Sequence, residues 1–325
     1  MGTVGELGEL GLLDRLWPNL APAGDGLIVG PGDDAAVWQP PAGKVVVVTT
    51  DSLAEGAHFT SPLDHPRAAD LGWKLLAVSL SDLAAMGATP GPCFISLALP
   101  KHWPVAWVEA LYEGLRECAL EFGAAIAGGN ITAAPAAVLT STCIGTADPA
   151  WLLRRSGAEA GWELAVTGSL GAAAAALRCG EAGPDPSWRA AARPVPRLAA
   201  AQLLLAAGIR VALDISDGLF RDAGRLLSAA SAGGLLLDSD AIPAAPGVRE
   251  RWPREWLEVV GGGEDYELLF AGPPAAVRKA LDALAATGLR AAVVGRFDDG
   301  PGLRVLFDGK EASPPESGHE HFTTA

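Results

Sequence analysis

The chain has 325 residues, more than one hydrophobic core usually supports, so we expect about two domains. Half of the residues are apolar, and the formal net charge is -14 at pH 7, which excludes the basic surface that a nucleic-acid partner requires. The sequence shows no apolar run long enough for a membrane helix and no signal-peptide pattern, so we expect a cytoplasmic protein.

The four cysteines, Cys93, Cys118, Cys143 and Cys179, contain no CxxC pair. Their wide spacing fits neither a zinc site nor a disulfide framework. We therefore predict four buried, reduced thiols.

The first half of the chain alternates strand and helix patterns. Residues 26–51 predict two strands joined by a Pro/Gly turn, and a helix follows that Asp64 can cap, Pro66 can start and Gly87 closes. Further on we expect, in order, a strand at 92–99, a helix at 104–122 and strands at 124–128 and 136–146.

Residues 148–161 lose this pattern and are interpreted as a link between domains, which places the predicted domains at 1–147 and 148–325. The second half is again of the α/β class. Its expected elements are a strand at 162–168, an Ala-rich helix, a strand at 210–216, an amphipathic helix from 219 to the glycines at 233–234, a strand at 266–270, a helix at 274–287, strands at 291–297 and 303–307, and a loop-like tail from 311.

Asp82 falls on the apolar face of the predicted helix that Gly87 closes. Leu71, Leu75, Val78 and Asp82 follow the 4, 3, 4 spacing that lines one side of a helix. An unpaired carboxylate there would be costly, so it requires a cation, either a metal ion or an arginine. The alternative is an exposed aspartate at a frayed helix end.

Other carboxylates follow predicted strands. Asp33 and Asp34 form a pair after Gly32, Asp51 follows an apolar strand, and Asp214 and Asp217 flank Ser216 in the second half. Each alone is more often a solvated turn, and Ser216 could simply cap a helix. Together in an acidic protein they favour magnesium ions that bridge phosphates.

Three glycine-rich segments could offer backbone N–H groups to phosphates: GGNIT from Gly128, TGSLG from Thr167 and GGGEDYE from Gly261. No GxxxxGK[ST] motif occurs, so a Walker-type phosphate loop is excluded. Each segment alone could be only a tight turn.

The motifs GDDAAV, VVTTDSLAEGAHF, WKLLAVSLSDLAAMGATP, RRSGA, LDISDGL and GGGEDYELLF, in this order, closely resemble the thiamine-monophosphate kinase family of the aminoimidazole ribonucleotide synthetase-like superfamily. The resemblance runs from about residue 8 to residue 322. It implies a two-domain, synthetase-like fold with an N-terminal mixed sheet that pairs two subunits into a homodimer, and a C-terminal α/β domain.

The resemblance also implies ATP as co-substrate, several Mg²⁺ ions and thiamine monophosphate as acceptor, and it leaves a role for K⁺ open. It assigns magnesium to Asp34, Thr49, Thr50, Asp51, Asp82, Asn130, Asp214 and Asp217, with Asp51 and Asp217 as the catalytic pair. It assigns ATP contacts to Gly129, Asn130, Arg155 and Ser216, and substrate contacts to His58, Glu264 and Glu316.

The sequence departs from the family pattern at three places, one of which is the absence of an arginine that the family often has where Ala133 or Ala134 stands here. Asn130 stands where the family usually has an aspartate; its amide oxygen can ligate a metal, but it brings no negative charge. Glu316 stands where the family tends to place an aromatic residue that stacks on the substrate, and His319 lies inside the motif that follows.

Direct transfer of the γ-phosphoryl group to an already anionic phosphate needs no strong general base, which fits the absence of a catalytic triad from these motifs. Two alternatives stay open: another ATP-using enzyme of the superfamily, and a catalytically weakened nucleotide-binding regulatory protein.

Overall fold

The computed structural model describes residues 2–16, 25–60, 65–179, 192–316 and 318. These residues form two compact units. The first comprises the described residues within Met1–Leu83, Ala88–Pro149 and Ala192–Pro194, and the second those within Ala84–Gly87, Ala150–Ala191 and Val195–Ala325. The division into domains 1–147 and 148–325 stays a prediction.

The first half of the chain contains three helices and six strands among its described residues. They are α1 (Val4–Leu16), β1 (Leu27–Val29), β2 (Val37–Trp38), β3 (Val45–Ala54), α2 (His65–Ala85), β4 (Thr89–Leu99), α3 (Val105–Phe122), β5 (Ala125–Ala133) and β6 (Val138–Ala147). Four of the strands form a mixed sheet in the order β3-β6-β4-β5, and β1 pairs with β2 in a separate ribbon.

Alternating side chains give this sheet two different faces. In β3, Thr49, Asp51 and Leu53 are buried or half-buried, whereas the side chains between them are exposed. The buried face is in contact with α2, where Ser79 reaches both Asp51 and Ser141. The period of two in a strand therefore decides which polar residues meet the helix.

Helices α2 and α3 approach each other backbone to backbone. A Cβ atom at Gly72 would lie 1.9 Å from the Leu111 carbonyl oxygen, and one at Gly114 would lie 1.7 Å from that of Ala69. Only glycine fits at these two points. The close approach fixes the position of α2 and of the residues that it presents to the sheet.

The second half contains six further helices and seven strands among its described residues. They are β7 (Glu163–Thr167), α4 (Ala172–Cys179), α5 (Leu198–Ala207), β8 (Val211–Asp214), α6 (Leu219–Ser228), β9 (Gly234–Asp238), α7 (Val248–Arg251), α8 (Trp256–Val260), β10 (Leu268–Gly272), α9 (Pro274–Ala286), β11 (Ala291–Asp298), β12 (Gly302–Phe307) and β13 (Lys310–Ala312).

These strands form one mixed sheet in the order β13-β12-β9-β11-β7-β10-β8. Strand β8 lies at one edge and pairs antiparallel with β10, so Asp214 is opposite Leu268. Fully buried Phe270 and Phe297 belong to two separate apolar clusters of this unit. The mixed α/β class predicted from the sequence is confirmed.

Several predicted boundaries were wrong. Residues 26–51 contain three strands rather than two, and β3 continues three residues past Asp51 because residues 52–54 still pair with β6. Helix α6 ends at Ser228, well before the glycines at 233–234. Residues 310–312 form a strand at the start of the predicted loop-like tail, and Asp64 lies outside the described residues.

All four cysteines are free, as predicted, and Cys179 is half-buried rather than buried. None of the helices in the described part of the chain combines the length and the apolar content that crossing a membrane requires.

Candidate functional site

The first group of predicted site residues lies between β3 and α2. The Thr49 hydroxyl donates to the Asp82 carboxylate, and the Ser79 hydroxyl donates to Asp51 Oδ2 at 2.9 Å. Leu71, Leu75 and Val78 are buried on the same helix, as the spacing predicted. Two carboxylates from separate elements therefore meet at one interface.

The negative charges of Asp51 and Asp82 repel each other. Burial, and after it the negative charge of Asp82, raise the pKa of Asp51 to about 6, although the hydrogen bond from Ser79 lowers it. Two neighbouring carboxylates with little solvent are stable together when a cation joins them. The sequence predicted this need for a nearby cation for Asp82 alone.

A cavity of about 580 Å³ lies beside strands β4, β5 and β6 of the same sheet. It brings together Asp34, Gly129 and Asn130, with Asp33 beside them. Phe94, Ser96, Tyr112 and Thr142 also line it. The cavity thus joins the GDD turn to the GGNIT segment, two motifs almost a hundred residues apart.

The GGNIT glycines were predicted to offer backbone N–H groups to phosphates or to form a tight turn, and they lie inside strand β5. A Cβ atom at Gly129 would lie 1.8 Å from the Ile95 carbonyl oxygen, so the strand needs glycine in order to pair with β4 at this point. Asn130 follows it, exposed and opposite Ser96.

Thr50 belongs with the cavity face rather than with Thr49 and Asp51. Its hydroxyl lies 3.0 Å from that of Thr142, which lines the cavity. The predicted metal ligands of the first unit therefore divide into two groups on opposite faces of one sheet, with Asp51 and Asp82 on the helix side and Asp34, Thr50 and Asn130 on the other.

His58 lies just past the end of β3. Its Nδ1 accepts a hydrogen bond of 3.1 Å from the Ala54 backbone N–H, while the backbone N–H of His58 donates to the Ala54 carbonyl at 2.9 Å. Accepting at Nδ1 leaves the neutral ring protonated at Nε2. The imidazole is held in one orientation at half-buried depth.

The second unit places Asp214, Ser216 and Asp217 at the end of β8 and in the turn that follows it. Asp214 is the last residue of β8 and is buried. Asp222 Oδ2 accepts from the backbone N–H groups of Ser216, Asp217 and Gly218 at 3.0 to 3.1 Å. The turn is therefore fixed by a carboxylate from inside α6.

Glu264 packs against this turn through its backbone. Its N–H donates to the Ser216 carbonyl at 2.8 Å, and the Tyr266 N–H donates to that of Ile215 at 2.9 Å. Glu264 and Tyr266 both have positive φ, 61° and 52°, a strained conformation outside glycine. The hydrogen bonds from their N–H groups to the Ser216 and Ile215 carbonyls keep both residues in this conformation.

Glu316 also lies near the turn. It lines a cavity of about 440 Å³ together with Phe220, Arg221 and Gly318. A Cβ atom at Gly318 would lie 2.5 Å from the Asp217 carbonyl oxygen. Arg155 lies elsewhere: it is exposed and follows Arg154, which bridges to the first residue of β8, the end away from Asp214.

Sequence patterns alone did not indicate Ser79, Asp222 or Asp265. Ser79 occurs three residues before Asp82 on the same helix, and that spacing is the signal that could have identified it. Asp222 reads as an ordinary polar residue of an amphipathic helix. Asp265 was overlooked beside Glu264, yet its Oδ1 accepts from the Gly171 N–H at 2.8 Å and its Oδ2 is buried with no hydrogen-bond partner in the described structure.

Magnesium fits the donor groups that are present. Within the ranges that the structure describes, no set of three or more His, Cys, Asp or Glu side chains is arranged to hold a metal. Mg²⁺ usually takes one or two carboxylates and completes its shell with water and substrate phosphates. The close pair of Asp51 and Asp82, with the Thr49 hydroxyl, offers hard oxygen donors of that kind.

Comparison with known proteins identifies the family. The family model described as "AIR synthase related protein, N-terminal domain" matches residues 32–147. A thiamine-monophosphate kinase of Synechococcus elongatus is 36% identical over 99% of this chain and 98% of its own length.

Two solved structures extend the similarity to three dimensions. The thiamine-monophosphate kinase of Stenotrophomonas maltophilia has a TM-score of 0.80 at 35% identity and covers 93% of this chain and 96% of its own. AaThiL, solved as a complex with AMPPCP and TMP, has a TM-score of 0.74 at 28% identity and covers 98% of each chain. This chain belongs to the thiamine-monophosphate kinase family.

Proposed function

We propose that this chain transfers the γ-phosphoryl group of ATP to a phosphate oxygen of thiamine monophosphate, giving thiamine diphosphate and ADP. The observation that carries the proposal is the 36% sequence identity, over 99% of this chain, to a thiamine-monophosphate kinase. The AaThiL complex with AMPPCP and TMP, whose fold this chain shares along 98% of its length, supports the same reaction.

The transfer forms a bond between the acceptor phosphate oxygen and the γ-phosphorus while the bond to the β-phosphate oxygen breaks. The acceptor is anionic near neutral pH, so positioning and charge neutralisation carry the catalysis. When bound, magnesium would neutralise phosphate charge. Asp51 and Asp82 would hold it in the first unit, and Asp214 and Asp217 in the second.

The remaining roles follow the motifs. Asp34, Thr49, Thr50 and Asn130 would complete the metal sites, and Gly129, Arg155 and Ser216 would contact ATP. His58, Glu264 and Glu316 would face the thiamine compound. The fixed tautomer of His58, with its Nε2 protonated, suits a hydrogen bond to a phosphate oxygen.

A homodimer is part of the proposal. Strand β3 is an edge strand of its sheet, and Val45, Val46 and Val48 on it are exposed by 37%, 49% and 61%. An apolar, open edge strand is unusual on a surface that meets only water. We also propose a cytoplasmic location, which suits four free thiols.

A coupled assay for ADP release, with and without thiamine monophosphate, tests the function. Release that depends on the thiamine compound supports the kinase. ADP release that ignores it would favour another ATP-using enzyme of the superfamily. Failure to bind ATP at all would favour a regulatory protein, for which Asn130 and Glu316 are the only support.

A further inference from the structure

The turn between β8 and α6 has an unusual internal anchor. One oxygen of Asp222, Oδ2, accepts from three successive backbone N–H groups, those of Ser216, Asp217 and Gly218. Successive N–H groups in a turn form a concavity that binds anions. Here the chain's own carboxylate fills that concavity, so these N–H groups face Asp222.

Capping of α6 does not require this arrangement. A serine or asparagine at position 218 would cap the helix from outside, whereas Gly218 has no side chain and the carboxylate comes from within the first turn. Asp222 is only 1% exposed, and burying a carboxylate is costly. Burial raises its pKa to about 6 in spite of Arg225 and the backbone N–H groups.

Arg225 extends the anchor to a predicted metal ligand. Its Nη1 donates to Asp222 Oδ1 at 2.7 Å, and its Nη2 donates to the carboxylate of Asp217. The Arg225 guanidinium thus binds the side chain of Asp217, while the Asp222 carboxylate binds the backbone N–H of Asp217. Both the position and the direction of Asp217 depend on Asp222.

The turn has no space in which to shift. A Cβ atom at Gly218 would lie 1.9 Å from the Gly261 carbonyl oxygen, and one at Gly263 would lie 2.5 Å from that of Ser216. The Glu264 N–H is bonded to the same Ser216 carbonyl. Movement of the turn would therefore also move Glu264.

We propose that Asp222 is a positioning residue, which fixes Ser216 and Asp217 for the phosphates and magnesium of ATP by accepting the three N–H groups of their turn. The inference rests on the proposed function for the identity of the ligand. It assigns Asp222 no contact with substrate.

The test compares Asp222→Ala and Asp222→Asn with the wild-type chain and with Asp240→Asn, an exposed aspartate of the same unit. Calorimetry measures the binding of Mg²⁺ with AMPPCP, steady-state kinetics give kcat and the KM for ATP, and thermal melting reports the fold. We expect Asp222→Ala to weaken AMPPCP binding about tenfold and to lower kcat about a hundredfold at temperatures where it is folded.

Asp222→Asn keeps one acceptor oxygen without its charge, so its losses should be intermediate, and Asp240→Asn should match the wild type. A purely structural role would lower the melting temperature and leave binding and kcat unchanged in the folded protein, and that result would overturn the inference. If Asp222→Ala does not fold, Asp222→Asn decides, since wild-type binding and kcat in it would also overturn the inference.

The positioning role of Asp222 and the proposed kinase function can be disproved independently of each other. If the wild-type chain binds Mg²⁺ with AMPPCP but does not phosphorylate thiamine monophosphate, the proposed function fails, and the binding data still test Asp222.

Discussion

Asp51 accepts a hydrogen bond of 2.9 Å from Ser79, a residue that α2 presents to the sheet directly beside Asp82 on the same face. The bond explains how a carboxylate next to another carboxylate is oriented without an arginine. The bond uses Oδ2 of Asp51 and leaves Oδ1 for a cation. Without a cation, the repulsion between the Asp51 and Asp82 carboxylates lowers the stability of the fold, as is common at functional sites.

Asp51→Asn should therefore separate stability from function. The amide removes the like charge beside Asp82, so we expect a higher melting temperature than the wild type in magnesium-free buffer at about pH 8. Turnover should fall by about a hundredfold or more, because a metal ligand is lost. Differential scanning calorimetry and the ADP assay measure the two effects.

The matched control for Asp51→Asn is Ser52→Ala, since Ser52 is the next residue of β3 and faces away from α2. It should leave activity near the wild-type value. An Asp51→Asn variant with normal turnover would contradict the role of Asp51 in metal binding.

Asn130→Asp should strengthen metal binding in the cavity that also contains Asp34. Asn130 is exposed and lies opposite Ser96, so a carboxylate fits there without steric change. An added negative charge attracts Mg²⁺, and we expect the Mg²⁺ concentration for half-maximal activity to fall several-fold. A titration of initial rate against Mg²⁺ measures it. An unchanged or higher requirement would show that position 130 does not face the metal.

Gly129→Ala should disrupt the pairing of β4 with β5. Its Cβ atom would lie 1.8 Å from the Ile95 backbone, which cannot move without breaking the ladder, so we expect a loss of at least about 2 kcal/mol in the free energy of unfolding. Gly224→Ala is the control, because a Cβ there has open space within α6 and should stabilise the helix by up to about 1 kcal/mol. Urea unfolding measures both variants, and equal stabilities would contradict the close approach.

Asp265→Asn tests the buried carboxyl between the two strained residues. Burial, with Glu267 and Glu264 nearby, raises the pKa of Asp265 well above its ordinary value, although N–H groups of Gly171 and Ala172 oppose the shift. In the folded chain Asp265 therefore keeps a proton that it releases near pH 4 in the unfolded chain. Its contribution to the free energy of unfolding is present at low pH and is lost as the pH rises through the folded pKa.

Asparagine does not titrate, so the melting temperature of Asp265→Asn relative to the wild type should increase between about pH 5 and pH 8. Asp240→Asn should show no such trend. A difference that stays constant with pH would mean that Asp265 is ionised in the folded protein throughout. Arg197, which pairs with Glu267 at 2.5 Å and 2.7 Å, is the nearby cation of this cluster.

Much of the architecture could be predicted from local patterns. The apolar stripe of α2 places Asp82 correctly because helical spacing alone decides which face a residue occupies. The alternation in β3 contains the information that Thr49 and Asp51 share a face and that Thr50 does not. The family resemblance assigned all three residues to magnesium, but adjacent residues of a strand point to opposite faces of the sheet.

Tertiary contacts set the rest. Asp222 and its three N–H partners lie within seven residues, but nothing in an amphipathic helix pattern indicates that a side chain turns back under the preceding turn. The need for glycine at 129 depends on Ile95, a residue of another strand. Such features require the fold before they can be recognised.

The central claim is phosphoryl transfer to a phosphate. Phosphorus NMR of the wild-type chain with ATP, Mg²⁺ and thiamine monophosphate measures it directly. We expect the thiamine monophosphate signal to be replaced by the two coupled signals of thiamine diphosphate while an equal amount of ADP forms. ADP with inorganic phosphate and unchanged thiamine monophosphate would contradict it.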